Sequence, residues 1–394
     1  MSVEKNMQMK ACVYGFSTYL GVKCSAEAVA LEGLHKIQVK PSGGLARRLG
    51  RTIIQHSSFA ALLKILNKSR SILILRSSSL LLSFIFHRIM RLAHLHIPNL
   101  IPFAHASHLQ QILVSRLLAY KKLHVTSPQP PPDPTILTFT PFPVYTTGRR
   151  HLPSSTSPTG ATSTNPHQAL NANLPKPLHP IRHLLTPAAS LPACAEFHPT
   201  LRGGQTTYHG PGQLVIYTIL DLQRLRLGPR QHIQLLERSV LDVLASYGVQ
   251  GAELSQMNPG VWVCTSQPRS PSGPKLPSKK IAAVGVHLRR NISSYGVGLN
   301  VTEEPMWFFR QIVACGLEGR EATSMVGCGV RFDGKTGDVT MMEVAERFVN
   351  AFVSQVNEIG MMRAVDNCAQ ADDGVQIEEV YNIEERDVLE AIVK

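Results

Sequence analysis

Acidic side chains are almost missing from the first half of this 394-residue chain. Between Glu32 and Glu196 the only one is Asp133, while Arg, Lys and His recur throughout. The formal charge of +13 is therefore concentrated there, and Asp372–Glu390 is acidic by contrast. A field of this sign is compatible with nucleic-acid binding. No recognisable nucleic-acid module accompanies it, so no nucleic-acid partner is expected. Arg- and Ser-rich sequence poor in acids is instead the composition of organelle transit segments. Paired cysteines are missing too. The seven cysteines (Cys12, Cys24, Cys194, Cys264, Cys315, Cys328, Cys368) are scattered, odd in number and form no Cys-x-x-Cys pair. That excludes a disulfide framework or a zinc pattern and fits a reducing compartment. Long apolar runs are the third absence. Ile72–Leu75 and Leu80–Phe86 are interrupted by Arg76 and three serines. They fall short of the ~20 residues that a helix needs to cross a bilayer, so stable membrane insertion is not expected. A hydrophobic content of 43% still supports a substantial core.

Residues 1–89 read as a basic N-terminal extension or targeting region, with Gly44–Arg70 spaced like an amphipathic basic helix. Residues 90–365 read as one large domain with flexible Pro/Ser-rich insertions at about 151–192 and 265–279, and residues 366–394 as an acidic C-terminal tail. Within the domain, Arg91–Lys122 reads as a helix, because Leu109, Ile112, Leu113, Arg116 and Leu117 fall on helical periods. Thr135–Tyr145 reads as one strand with proline punctuation near its end. Leu214–Leu220 is a buried strand, and Gln231–Tyr247 is an amphipathic helix ended by Gly248. Gly260–Cys264 is a short strand, Ile281–Leu288 and Tyr295–Val301 suit a hairpin, and Val344–Val356 is a closing helix. Strands and helices mix without a strict βαβ repeat, which favours an α+β fold built as a mixed sheet flanked by helices.

The most informative stretch is Leu201–Leu222, LRGGQTTYHGPGQLVIYTILDL. Four glycines stand beside polar Arg202, Gln205, Thr206, Thr207, Tyr208 and His209, and a buried-strand pattern follows at once. Glycines this dense mean that backbone approaches something closely, and the flanking Arg202 and His209 make one end of that something polar. Taken alone, Gly-Pro-Gly before a strand is also ordinary turn punctuation.

RGGQTTYHGPGQL resembles the signature of the lipoyl(octanoyl) transferases, the LipB-type acyltransferases of lipoate synthesis. Lys280–Val301 (KIAAVGVHLRRNISSYGVGLNV) and Ile312–Ser324 (IVACGLEGREATS) resemble the same family in the same order, and Pro143–Arg149 (PVYTTGR) is a weaker match upstream. The resemblance runs from about Met90 to Phe352. It implies a catalytic domain like that of the biotin and lipoate protein ligases. It also implies transfer of an octanoyl group from octanoyl-acyl carrier protein to a lysine of lipoyl domains, those of 2-oxoacid dehydrogenases and the glycine cleavage H protein. No cofactor and no metal are implied, and the implied location is the mitochondrial matrix.

In that family the matching cysteine carries the acyl group as a thioester, and the matching lysine favours its thiolate and moves protons. Carried over, these are Cys315 and Lys280. The chemistry is consistent, since the thiolate is the nucleophile and a nearby ammonium favours it. On residues alone, Cys315 could be an inert buried cysteine and Lys280 a solvated strand-end lysine. The resemblance further places substrate contacts at Arg202, Gly203, Gly204, Gln205, Thr206, Thr207, Tyr208 and His209, at Ala283, Val284 and Gly285, and at Gly296, Val297 and Gly298. Backbone N–H groups near Gly203–Gly204 or after Lys280 are candidates for stabilising an oxyanion.

Four residues depart from the family pattern. Ala314 replaces a usual proline, Tyr295 a common histidine, and Thr140-Pro141 an acidic-His pair. The long loop before Lys280 makes Lys279 a rival for its position, although register with Ile281–Gly285 favours Lys280. Competing readings are an ATP-dependent lipoate or biotin ligase of the same superfamily, and a non-catalytic carrier-binding protein.

Overall fold

The computed structural model describes residues 88–123, 130–151, 174–186, 194–255, 258–264, 278–316, 319–331, 340–366 and 375–390. The expected N-terminal extension up to residue 87, most of the first insertion and nearly all of the second lie outside the described residues, while Arg88 and Ile89, assigned to the extension, belong to a strand.

Among the described residues, eleven strands and six α-helices follow in chain order. They are β1 (Arg88–Ile101), α1 (Phe103–Leu123), β2 (Thr135–Pro141), β3 (Val144–Thr147), α2 (Arg182–Leu185), β4 (Glu196–Pro199), β5 (Thr207–His209), β6 (Gln213–Ile219), α3 (Pro229–Ser246), β7 (Ala252–Leu254), β8 (Val261–Val263), β9 (Lys279–Arg289), β10 (Ile292–Asn300), α4 (Glu304–Phe309), α5 (Met341–Asp366), β11 (Val375–Asn382) and α6 (Glu385–Glu390). Eight strands form one sheet in the order β11-β1-β2-β6-β10-β9-β8-β7, and β4-β3-β5 form a second, smaller one. In the large sheet β1 runs parallel to β2 and β11, and the other neighbours are antiparallel. The architecture is the expected mixed sheet flanked by helices.

β6 explains why the sheet is buried on both faces. All seven of its residues are buried. Leu214 and Ile216 enter the core beneath α3 and α5, while Val215, Tyr217 and Ile219 enter the core beneath α1 and α6. A continuous apolar run is what a strand covered on both sides requires. β9 and β10 form the expected hairpin, turning through Arg290 and Asn291, both in the left-handed region. α3 occupies the expected span, and Gly248 follows it at φ +74°.

Several expectations change. Arg91–Lys122 is not one helix, because its first part belongs to strand β1 and the helix begins only at Phe103. Apolar residues alternate with His94 and His96 there, and Pro98 and Pro102 oppose helical continuation. Thr135–Tyr145 is two strands, with the chain leaving the large sheet at the exposed Phe142 and entering the small one as β3. The insertion at 151–192 is partly structured: Leu174, Leu178, Ile181, Leu184 and Leu185 are buried against Tyr145 and Tyr208. The acidic C-terminal segment is part of the fold. It supplies β11, which pairs with β1 at the sheet edge and exposes Glu378 and Glu379, and α6, whose Val388 is fully buried. Charged side chains on an edge strand oppose unwanted pairing with other chains. α5 extends ten residues past the expected Val356, to Asp366.

Candidate active site

The signature loop alternates. Gln205, Thr207 and His209 line a cleft of about 290 Å³, together with Arg202, Gly203 and Gly204. Thr206 and Tyr208 are buried and do not line it. Successive strand side chains point to opposite faces, so in β5 Tyr208 turns into the core of the small sheet. It stacks there on Phe308 at 4.3 Å between ring centroids. Tyr208 is therefore a packing residue, a departure from its expected role in substrate contact.

The β9–β10 ladder forms another wall of the cleft. Gly296 pairs with Gly285, Val297 with Val284, and Gly298 with Ala283, and all six line the cleft. Gly296 and Gly298 are themselves buried, and at Gly296 a Cβ would lie 2.3 Å from Ile216 O. At Gly298 a Cβ would lie 3.0 Å from Gln213 Oε1 and 3.3 Å from His209 Cε1.

Cys315 lies in a short turn after α4, with φ +57°, in the left-handed region that few non-glycine residues adopt. Its main-chain N–H donates to Thr206 O at 2.8 Å, which pins the turn to the signature loop. Gly316 follows at φ +67°, and a Cβ there would lie 1.8 Å from Gln205 Oε1. Such local strain is found at functional sites when the surroundings enforce it.

Lys280 is the second residue of β9. Its N–H donates to Glu321 O and its carbonyl accepts from Thr323 N–H, both at 2.9 Å. The segment following Cys315 is thus bound to the β9 edge, and Lys280 and Cys315 line both the cleft and an adjoining recess of about 30 Å³. Lys280 Nζ donates to Pro259 O at 3.0 Å and lies 4.8 Å from the Trp262 ring centroid. Lys279 is engaged elsewhere, in an exposed ion pair with Glu321 at 2.6 Å, and does not line the cleft. The N–H of Gly203 donates to Val286 O at 2.9 Å, so it is not available to an oxyanion.

Arg202 is almost fully buried. Nη2 donates to Thr146 O and Oγ1, at 3.0 and 2.8 Å, and Nη1 to Gly203 O at 3.0 Å, while Nε has no partner. Burial lowers the guanidinium pKa, opposed by the nearby Cys315 thiol and the Tyr217 and Tyr295 hydroxyls. His209 stacks on Phe103 and places Nδ1 2.6 Å from Gln213 Oε1. Burial first, then the Arg202 charge, bring its pKa down to about 4 against the Gln213 bond, so the ring is neutral near pH 7.

The cleft also holds residues that the sequence reading missed. Val215, Tyr217, Ile233, Val286 and Tyr295 supply apolar surface, and Arg150, Asn258 and Pro259 complete the lining. Tyr295, at φ +61°, has its N–H bound to Gln110 Oε1 at 2.6 Å and its ring edge-on to Tyr217. Val215 and Tyr217 follow the signature immediately, and alternation along β6 was their available signal. Ile233 and Asn258 carried none.

Residues 188–353 match the family model of the lipoyl protein ligase A/B catalytic domain. A probable octanoyltransferase of Schizosaccharomyces pombe is 34% identical over 250 residues, which cover 64% of this chain and 92% of that protein. An octanoyltransferase of Bordetella petrii is 37% identical over 176 residues, 45% of this chain and 73% of that one. A mitochondrial octanoyltransferase of Arabidopsis thaliana is 35% identical over 144 residues, 36% and 55% of the two chains. Among solved structures, a bi-partite lipoate protein ligase of Thermoplasma acidophilum aligns with a TM-score of 0.39 at 13% identity, over 78% of this chain and 93% of that one. The chain's identity to proteins of this kind, over nearly the whole of one of them, makes it a member of the octanoyltransferase family and an acyltransferase enzyme.

Proposed function

We propose that this protein transfers an octanoyl group from octanoyl-acyl carrier protein to a lysine of lipoyl domains through a thioester on Cys315. The observation that carries this reading is the convergence of Cys315, Lys280, Arg202 and His209 on one cleft with a glycine-rich wall and apolar surface from Val215, Tyr217 and Val286. A cleft of this kind suits a ligand with an apolar chain and one reactive polar end.

In the first half-reaction the Cys315 thiolate attacks the donor's thioester carbonyl. A bond forms from Cys315 Sγ to the carbonyl carbon, the bond to the carrier sulfur breaks, and the carrier thiolate takes a proton from the Lys280 ammonium. In the second, the lipoyl-domain lysine attacks as a free amine. The C–N bond forms, the C–Sγ bond breaks, the Cys315 thiolate returns, and the proton lost by the amine passes to Lys280. This is two-step covalent catalysis. Arg202 sets a buried cation near the thiol, at the polar end of the cleft. Gln205, Thr207 and the Ala283–Gly285 and Gly296–Gly298 strands shape the acyl slot. We place the enzyme in mitochondria, on the acid-poor, Arg- and Ser-rich N-terminal sequence and the likeness to the Arabidopsis protein. Lipoyl domains of 2-oxoacid dehydrogenases and of the glycine cleavage H protein are the proposed acceptors.

Intact-protein mass spectrometry after mixing the chain with octanoyl-acyl carrier protein, without ATP, tests the reading. The expected result is an octanoyl adduct on Cys315 that moves to an added lipoyl domain. Modification that appears only with free acid and ATP would overturn it in favour of a ligase.

A further inference from the structure

Outside the cleft lining, a buried chain of side-chain amides runs from His209 to the strand edge that holds Lys280. Thr323 O is a main-chain carbonyl and can only accept, so the atom 2.9 Å from it on Asn300 is the donor Nδ2. Asn300 then turns Oδ1 toward Gln213, which must donate Nε2 to it, at 2.8 Å. Tyr208 O, another obligate acceptor, lies 3.4 Å from the same Nε2. Gln213 therefore has only Oε1 left for His209, at 2.6 Å from Nδ1. An amide oxygen cannot donate, so Nδ1 carries the hydrogen. A neutral ring protonated at Nδ1 has its lone pair at Nε2. Gln213 and Asn300 are 2% and 3% exposed, which leaves no bulk water to compete for these bonds. Thr323 N–H in turn donates to Lys280 O at 2.9 Å, so the anchor of the chain is the segment that fixes Lys280.

The geometry points to Gln213 and Asn300 as positioning residues that hold His209 in the Nδ1–H tautomer, with Nε2 offered as a hydrogen-bond acceptor to the attacking amine. The inference deepens the proposed function and rests on its second half-reaction. The amine must aim its lone pair at the thioester carbon, and accepting one of its N–H groups at Nε2 turns it there. The nearby Arg202 cation and the buried setting disfavour an imidazolium, so His209 orients the amine while Lys280 receives the proton.

The test uses the full chain labelled with ¹⁵N-histidine. Long-range ¹H–¹⁵N correlation spectra are expected to show His209 protonated at Nδ1 and bare at Nε2. Gln213→Leu is expected to lose this preference and to slow transfer from preformed octanoyl-enzyme to a lipoyl domain at least tenfold. Gln213→Glu, whose carboxylate also accepts from Nδ1–H but cannot donate to Asn300 Oδ1 and favours an imidazolium, is expected to keep Nδ1 protonated and to recover only part of the rate. If Gln213→Leu does not fold, His209→Gln, whose amide oxygen reaches the Nε2 position, is expected to transfer faster than His209→Asn, which ends near Nδ1. A wild-type ring protonated at Nε2, transfer unchanged in Gln213→Leu despite a changed tautomer, or equal losses in the two His209 variants would overturn the inference. Formation of the Cys315 adduct, measured separately, reports on the proposed function itself.

Discussion

Cys315 and Thr206 are joined by one main-chain hydrogen bond of 2.8 Å, so the turn that presents the thiol is held by the loop that shapes the cleft. The thiol's place thus depends on neighbouring backbone more than on its own short turn. Gly316 occupies the tightest point of that arrangement.

Gly316→Ala would put a Cβ into the Gln205 side chain at a positive φ, at a cost of about 1–3 kcal/mol. We expect octanoyl adduct formation to slow at least tenfold while far-UV circular dichroism is unchanged. Adduct formation at the wild-type rate would show that the turn tolerates the displacement.

Cys315→Ala is expected to abolish the adduct and leave thermal unfolding within a few degrees of wild type. Cys328, also glycine-flanked, does not line the cleft, and burial raises its thiol pKa. Cys328→Ala should therefore acylate normally. Acylation retained in Cys315→Ala would remove that residue as nucleophile.

Lys280→Ala is expected to slow formation of the octanoyl adduct at least tenfold, because the departing carrier thiolate then lacks its proton donor. Lys279→Ala, which breaks only an exposed ion pair, should leave the rate unchanged. Equal effects of the two substitutions would contradict the assignment of Lys280.

Three buried histidines predict acid sensitivity. His94, His209 and His232 each have a pKa lowered from 6.5 to about 4, chiefly by burial. The fold keeps them neutral, so above pH 6.5 they impose no penalty. Below it the unfolded chain binds protons that the fold refuses, and stability falls until about pH 4, by up to about 3 kcal/mol for each ring. Urea unfolding across this window should show the decline, and His232→Phe should reduce its slope. A flat profile would mean that these rings protonate in the folded state.

Arg149, Arg150 and Arg289 are exposed, Arg150 lines the cleft, and Arg149 and Arg289 both lower the His287 pKa after the effect of its burial. Basic groups at a cleft mouth steer acidic partners. Charge reversal of Arg149 and Arg289 together should raise KM for octanoyl-acyl carrier protein about tenfold at low salt. Turnover of an uncharged octanoyl thioester, octanoyl-N-acetylcysteamine, should change little. Parallel losses on both donors would place these arginines in a role other than docking.

Much of the fold was legible where a local pattern is strong. The apolar run of β6, the 3.6-residue period of α3 and the β9–β10 hairpin all lie within three residues of the spans expected. β1 was misread because the clear helical period of Leu109–Leu117 was extended backwards across Pro102 and Pro98. β11 was read as a tail because its charge is the charge of an exposed edge strand, and the partner that makes it a strand, β1, lies far away in sequence. The buried leucines of residues 174–186 were hidden by the polar, proline-rich composition on either side.

The sequence by itself marked the segments proposed to carry chemistry, because the glycine-rich signature, the lysine at the start of β9 and the cysteine turn are short strings that the family resemblance picks out. Only the tertiary structure decided which side chains of those strings meet. The phase of β5 sends His209 to the cleft and Tyr208 to the core, and Thr323 binds the cysteine-bearing segment to Lys280. Gln213 and Asn300 join into one buried network only through strand pairing. The physical reason is that periodicity is set by neighbours along the chain. Convergence is set by registers between distant strands, and those follow from burying apolar faces and satisfying backbone hydrogen bonds across the whole domain.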